Sequence, residues 1–367
     1  MLNLALIPLN FLLKAWLAWL YHQKQPTNER RPFWPALSVK VVGGIALGCL
    51  YFFHYGVGDT LSFWQDGNQL AAFFRESPGQ VISFLWDDST VPGMAATLQQ
   101  QAPRSLFFVK ICGFLALISG GNYWLMATWL SLASFVGAWF LYTRMVRAFP
   151  EARIAAAIAL LFVPSVVFWS SGLIKESLGL AALFVLMAGT LSIVRRQPVS
   201  WMEWLGIVLS LWVGWNLKYY WVGIFMPVVM PVITVALITQ RYERLIRYEG
   251  FMWLVFFAAF LFLATNIHPN FYASRFLEVI YHNNLEFTRM SDPPRIVQYL
   301  NLEPSAASVI MNAPAALLAG LFRPFFWEAF NPLSWVAALE NLVLLVLVLQ
   351  ALVSFGRLFR SPHRLLL

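Results

Sequence analysis

Leu333-Ser-Trp-Val-Ala-Ala-Leu-Glu-Asn-Leu-Val-Leu-Leu-Val-Leu-Val-Leu-Gln-Ala-Leu-Val-Ser354 is an apolar run whose only charge is Glu340. About 20 mostly apolar residues in helical form cross the hydrocarbon layer of a bilayer. Lipid offers no partner to backbone amides and carbonyls, so such a run must satisfy them internally, as a helix. The same reading applies to eight further stretches: 2–21, 35–55, 123–143, 154–171, 174–193, 202–217, 220–239 and 250–266. Pro164, Pro227 and Pro231 are expected to kink their helices. Two shorter apolar segments, 106–119 and 309–322, have the length of re-entrant or interfacial pieces.

Composition agrees with this solvent. Of 367 residues, 60% are hydrophobic and 11% charged, with mean hydropathy +0.66. A soluble domain carries about 25% charge, and so little charge cannot cover a water-facing surface. Tyr and Trp, which collect at membrane interfaces, are abundant at 12 and 17 copies. The two cysteines, Cys49 and Cys112, both lie in apolar runs. They make neither a disulfide framework nor a metal-type cluster. The N-terminal run has Lys14 inside it, no basic segment before it and no small-residue cleavage site, so it reads as a retained helix rather than a signal peptide.

The net charge of +8 does not imply nucleic acid, because the basic residues follow the topology. With nine spans and neither short segment crossing, Lys24, Arg30, Arg31, Arg144, Arg147, Arg153, Arg195, Arg196, Arg241, Arg244, Arg247, Arg357, Arg360 and Arg364 all fall in short cytoplasmic segments. The N-terminus is then outside and the C-terminus inside. Eleven of the 17 acidic residues fall outside: Asp59, Asp66, Glu76, Asp87, Asp88, Glu176, Glu278, Glu286, Asp292, Glu303 and Glu328. The expected fold is an all-α integral membrane protein. It would be a single transmembrane domain over 1–367, a polytopic bundle of about nine transmembrane helices plus two short re-entrant or interfacial segments. Its chemistry is expected in the outer loops 56–122 and 267–332.

Four outer features carry that chemistry. Asp59 follows a span and begins an amphipathic stretch, with Asp66 two helical turns on. Carboxylates at this boundary suit a general base or a metal ligand; the plainer reading is a helix cap or a solvated acid. Lys175-Glu176 opens an apolar helix, where charge is costly and often functional, or where Glu176 merely complements the helix dipole. Lys218, among Tyr219, Tyr220 and Trp221, suits a phosphate or an interfacial aromatic belt. Arg323 favours a carboxylate or phosphate partner, either a lipid-linked phosphate or internally Glu328 or Glu340. Arg104, Asp87, Asp88, Arg275, Arg289 and Arg295 are unranked candidates for the same outer face. His54, His268 and His282 lack metal-ligand spacing, and there is no nucleotide-binding P-loop and no GxSxG element.

The order of Gly58-Asp59 with its amphipathic stretch, a short apolar segment, a helix ending in basic residues, Pro164, Trp169-Ser170-Ser171 and Lys175-Glu176 resembles the GT-C superfamily of polytopic glycosyltransferases over about residues 35–195. This superfamily includes the protein O-mannosyltransferases and the lipid A aminoarabinose transferases. The resemblance implies a GT-C-like fold in a bacterial inner membrane and a sugar donor carried on polyprenyl phosphate. It also implies that Asp59 serves as catalytic base or as ligand to a divalent metal, Mg or Mn. Asp66 and Glu176 would assist, with Lys175, Lys218 and Arg323 as phosphate-binding cations. Many members carry a second acid where this chain has Lys175-Glu176. The partners implied are the lipid-linked donor, membrane lipid and an acceptor, with no nucleic acid.

Three other classes compete. A polymerase of lipid-linked polysaccharide repeat units would use outer arginines such as Arg275, Arg289, Arg295 and Arg323. A transporter expects ionisable residues mid-span and internal repeats; here only Lys14, Lys40 and Glu340 lie well inside a span and no repeat is visible. A non-catalytic subunit of a membrane complex would use the same aromatic helices for packing.

Overall fold

A computed structural model describes residues 2–27, 29–267, 269–291 and 296–358. His268, Asp292, Arg295, Arg360 and Arg364 lie outside the described residues, as does the side chain of Arg357. The described chain is all α, 84% helical, with no strand among the described residues. It divides into two compact units, Met1–Phe225 and Met226–Leu367.

The first unit is built from α1 (Leu2–Gln23), α2 (Phe33–Leu50, prolonged by a π-helical turn to Tyr55), α3 (Asp59–Glu76), α4 (Pro78–Trp86), α5 (Pro92–Thr97), α6 (Pro103–Ser119), α7 (Tyr123–Ala148), α8 (Arg153–Ala157), α9 (Pro164–Trp169), α10 (Lys175–Val194) and the first part of α11 (Trp201–Arg241). The second holds the rest of α11, α12 (Glu249–Ile267), α13 (Ala273–Met290), α14 (Ala306–Phe322) and α15 (Pro332–Leu358). Six helical stretches are long and apolar enough to cross a membrane: Phe33–Tyr55, Tyr123–Ala148, Lys175–Val194, Trp201–Arg241, Glu243–Asn266 and Pro332–Ser354. Large apolar side chains on α12 and α15, among them Phe251, Phe262, Leu339 and Leu347, are exposed. Lipid is the solvent that such faces require.

The six differ from the nine stretches read in sequence in identifiable ways. Residues 2–21 form a helix, α1, that falls outside those six. The stretch 154–171 is broken into α8, a π-helical turn over Ile158–Phe162, and α9, with the break at Val163 before Pro164. A residue before proline is pushed out of helical geometry. The stretches 202–217 and 220–239 fall in one helical run, yet Lys218 within it is non-helical (φ −144°, ψ 61°). A β-carbon added at Gly214 would lie 3.1 Å from the Val222 side chain. In a straight helix residues eight apart are about 12 Å apart along the axis, so the chain folds back sharply at Lys218. The short segments 106–119 and 309–322 are helical, within α6 and α14.

Small residues let the helices of the first unit close up, as is usual where lipid removes the hydrophobic drive between helices. A β-carbon at Gly137 of α7 would sit 2.7 Å from the Ala181 carbonyl of α10, and one at Gly67 of α3 would sit 2.9 Å from the Cys112 backbone of α6. On α2, Gly43 faces Val167, Gly44 faces Ser131 and Gly172, and Gly48 faces Tyr123 and Trp124. Two apolar cores result. In one, Phe63 meets Phe108 edge-on with ring centres 4.8 Å apart. In the other, Phe33 meets Trp139 at 4.9 Å and Phe135 at 5.0 Å. α1 is stitched on by polar bonds: Asn10 donates to the Ile118 carbonyl (3.0 Å) and accepts from Trp129 (2.8 Å), while Lys14 donates to the Leu125 carbonyl (2.9 Å) and Thr128 (2.7 Å). At the far end of α7, the buried Arg144 pairs with Glu203 and donates to the Pro198 carbonyl (2.8 Å), and Arg147 pairs with Glu29.

The α7–α10 approach generates a test. Gly137→Leu forces the Ala181 backbone away, and overpacking of this kind costs about 1–3 kcal/mol. The detergent-solubilised variant is expected to melt several degrees lower by size-exclusion thermal denaturation. Gly206→Leu, at a glycine with open space around it, is expected to melt with the parent.

Candidate active site

The site begins with a piece of backbone that is not helical. Ser170–Ile174 joins α9 to α10. It packs against Gly44, midway along the Phe33–Tyr55 span, and against Ser131, a little over two turns into α7. Irregular backbone at membrane depth persists only when protein satisfies it, and here Gly172, the residue at the bend, has partners for both its amide and its carbonyl. The Gly172 N–H donates to Ser131 Oγ (3.0 Å) and the Gly172 carbonyl accepts from Ser177 Oγ (2.7 Å). Ser171 Oγ donates to the Val167 carbonyl (2.6 Å). Gly172 has φ +77°, and a β-carbon there would meet the Gly44 carbonyl at 3.2 Å, so both conformation and space call for glycine. Lys40 of α2, 4% exposed, donates to Ser170 Oγ, which in turn donates to the Val166 carbonyl. Lys40 has no carboxylate partner among the described residues.

This turn starts α10 within the thickness of the helix layer, and α10 opens with Lys175 and Glu176. Glu176 pairs with Lys218 at 2.6 Å. Lys218 sits at the fold-back of α11, its ammonium over the rings of Trp221 (5.2 Å) and Tyr220 (5.9 Å). Lys175 turns the other way. It donates to Ser105 Oγ at the start of α6 (3.2 Å) and lies over the Phe63 ring of α3 (5.1 Å). Lys175 lies within the electrostatic reach of Asp59, Lys218, Glu176 and Arg104, and Tyr51 within that of Asp59 and Glu176. Arg104 is exposed beside Ser105, its guanidinium over the rings of Tyr219 (5.4 Å) and Tyr220 (5.8 Å).

Asp59 enters as the first residue of α3. The preceding Gly58 has φ +138°, and a β-carbon there would strike the Tyr51 ring at 2.4 Å, so only glycine lets the chain turn this closely over Tyr51. The Asp59 side chain is exposed and has no hydrogen bond or ion pair among the described residues. One turn of α3 is fixed to α7 by Thr60 and the Tyr123 hydroxyl (2.8 Å) and by Trp64 donating to the Gly121 carbonyl (2.8 Å). The N-terminal ends of α3, α6 and α10 and the α11 fold thus bring Asp59, Arg104, Lys175, Glu176 and Lys218 together.

Asp66 is not in this cluster, and Arg323 belongs to the other unit. Asp66 is fully buried, and its two oxygens accept the backbone amides of Gln99 (3.0 Å) and Gln100 (2.9 Å). Gln99 also reaches Gln65 (2.6 Å) and Gln100 reaches Ser62 (2.9 Å). Asp66 therefore holds the segment that delivers Arg104 and Ser105. Arg323 belongs to the second unit, where it pairs with Glu328 at 2.9 Å. Of the other candidates, Arg289 pairs with Glu286 (2.9 Å) and Asp88 with Lys110. Two partners were not read from sequence: Ser105, whose neighbour Arg104 was the only cue, and the Lys40–Ser170 bond, whose cue was a lysine inside a span.

A divalent metal needs several oxygen ligands. No three His, Cys, Asp or Glu side chains gather among the described residues. The acid nearest in role to Asp59, Glu176, is held by Lys218, and three cations surround the pair. This donor set does not fit a protein-ligated metal. It fits an anion: two cations without acidic partners, Arg104 and Lys175, beside the opening turns of α6 and α10, where backbone N–H groups favour negative charge.

No family model, curated protein or solved structure matches the chain.

Two variants test this geometry. Asp66→Asn keeps only one good acceptor for two part-buried amides, and an unsatisfied N–H costs up to about 1–3 kcal/mol when buried. Limited proteolysis is expected to cut near Gln99–Gln101 in Asp66→Asn faster than in the parent. In the second unit, partial burial pushes the Glu328 carboxyl up, but bonds from Arg323 and the Phe325 N–H outweigh this and hold it below the usual glutamate range. A depressed carboxyl contributes stability above its unfolded pKa and loses it as pH falls through the folded value. The melting difference between the parent and Glu328→Gln should therefore be largest near neutrality and shrink toward zero in acid below the ordinary glutamate range.

Proposed function

We propose that this chain is a membrane glycosyltransferase. It moves a sugar from a polyprenyl-phosphate-linked donor to an acceptor hydroxyl on the outer, periplasmic face, with its N-terminus outside and C-terminus in the cytoplasm. The observation that carries the reading is an exposed Asp59 carboxylate without a partner, set in one charge cluster with Lys175 and Arg104 at the ends of apolar helices. The concentration of basic residues in the segments read as cytoplasmic supports the sidedness. The sequence resemblance to the GT-C superfamily names the same acid.

In the proposed reaction Asp59 accepts the proton of the acceptor hydroxyl as that oxygen bonds to the anomeric carbon. The bond from that carbon to the phosphate oxygen breaks, and its electron pair leaves with the lipid phosphate. Arg104 and Lys175 meet the charge that develops there, and cations fixed in a low-dielectric setting do this without reorganising. Lys218 neutralises Glu176 and keeps it from competing for the two cations. Arg323, paired with Glu328 in the second unit, has no assigned step.

Membranes carrying the chain, supplied with a panel of polyprenyl-phosphate sugars radiolabelled in the sugar, are expected to transfer label to an endogenous acceptor. Asp59→Asn should lower that transfer by roughly 10²–10⁴-fold, the usual contribution of a general base, with little change in donor retention. Transfer at the parent rate by Asp59→Asn overturns the assignment.

A further inference from the structure

Helix α13 has no buried residue. Its charged side chains and its histidine nevertheless follow a strict pattern: Arg275, Glu278, His282, Glu286 and Arg289 are spaced by three, four, four and three residues. At about 100° per residue this places all five within roughly 80° of the helix circumference. The opposite side carries Phe276, Leu277, Ile280 and Phe287. Phe276 is 47% and Phe287 66% exposed, while Leu277 and Ile280 are half-buried, so the described residues leave much of that face open.

The neighbouring helix indicates what borders α13. α12 is long and apolar enough to cross a membrane and has none of its apolar window buried, the exposure a lipid-facing helix would have. Five residues separate α12 from α13, so the end of one and the start of the other lie at most about 22 Å apart. The helix is thus tied to the level at which α12 leaves the bilayer. Its two arginines and two of its glutamates cancel, so attraction to anionic headgroups is not what would hold it; apolar area is. We propose that α13 lies in the membrane–water interface, its Phe276/Ile280/Phe287 face sunk among the acyl chains and its Arg275–Arg289 stripe turned to water, an arrangement suited to amphipathic helices of this kind. The occupant of the apolar face is lipid, and the inference does not depend on the transferase reading.

Nitroxide labels on the full chain in lipid nanodiscs test it. Phe276→Cys and Phe287→Cys place labels on the apolar face, Glu278→Cys and His282→Cys on the polar stripe. The parent signal is subtracted, since Cys112 is buried and Cys49 partly so. Labels at 276 and 287 are expected to collide severalfold more with oxygen than with a water-soluble nickel chelate. Labels at 278 and 282 should show the reverse, and high salt should change neither. Equal nickel access on both faces overturns the proposal. So does shielding of 276 and 287 from both reagents, which would mean that a second copy or another protein covers the face. Hydroxyl-radical footprinting of the unsubstituted chain gives an independent readout: His282 oxidised and Phe276 and Phe287 protected is expected, and oxidation of all three overturns it.

Discussion

The backbone of Ser170–Ile174 must find its hydrogen bonds inside the protein, and the rest of the first unit is arranged around that requirement. Ser131 and Ser177 supply the partners, Gly44 and Gly172 the room, and Lys40 holds Ser170 from the far side. They come from α2, α7, α10 and the turn itself. Altering one would expose an amide or carbonyl where water is absent, at a cost well above that of an ordinary surface defect. The turn is therefore a junction that fixes α2, α7, α9 and α10 relative to each other.

The same constraint explains why charge gathers where it does. A continuous helix through residues 154–194 would carry Lys175 and Glu176 through the hydrocarbon layer side by side with lipid. Breaking the helix at Val163–Pro164 and again at Gly172 lets α10 begin partway in, with its first turn facing Phe63, Ser105 and Lys218 instead. Lys218 matches this break with one of its own. Its non-helical φ/ψ folds α11 back on itself, so that the chain reverses where Glu176 can neutralise the ammonium. For a half-buried pair such as this, the attraction offsets rather than exceeds the cost of desolvating both charges. Its effect is to fix the position of both groups.

Much of this was legible in the sequence, and the parts that were not share a physical reason. Apolar length gave the helices, because lipid imposes that length directly. The cluster of Asp59 with Lys175, Glu176 and Lys218 was approachable, because charges at the ends of apolar runs are rare and stand out. The break at Pro164 was read as a kink, whereas the chain stops being helical at Val163; the sequence does not reveal how far the following residues can rely on Ser131 and Gly44, more than 30 and 120 residues away. Asp66 shows the limit in another form. Its spacing from Asp59 placed both on one face of a helix, but α6 and the Gln99–Gln100 segment cover Asp66 and leave Asp59 exposed. Which face of an amphipathic helix is covered depends on its tertiary neighbours, and periodicity alone is silent about them.

The three acids Asp59, Asp66 and Glu176 therefore divide by what surrounds them. Glu176 is tied to a lysine that has folded a helix to reach it, and Asp66 to two amides that it fixes in place. Asp59 alone among these three stands without a partner, although Lys175 and Arg104 lie in the same charge cluster. Those two cations are occupied by weaker contacts, Lys175 by a hydroxyl and a ring and Arg104 by two tyrosine rings. A ring face or a hydroxyl holds a cation in place without cancelling its charge, whereas a carboxylate at hydrogen-bond distance would cancel it. On the proposed reading this separation is what the chemistry requires. A base that had collapsed onto its neighbouring cations would have a lowered affinity for a proton, and the cations would have nothing left to offer a departing phosphate.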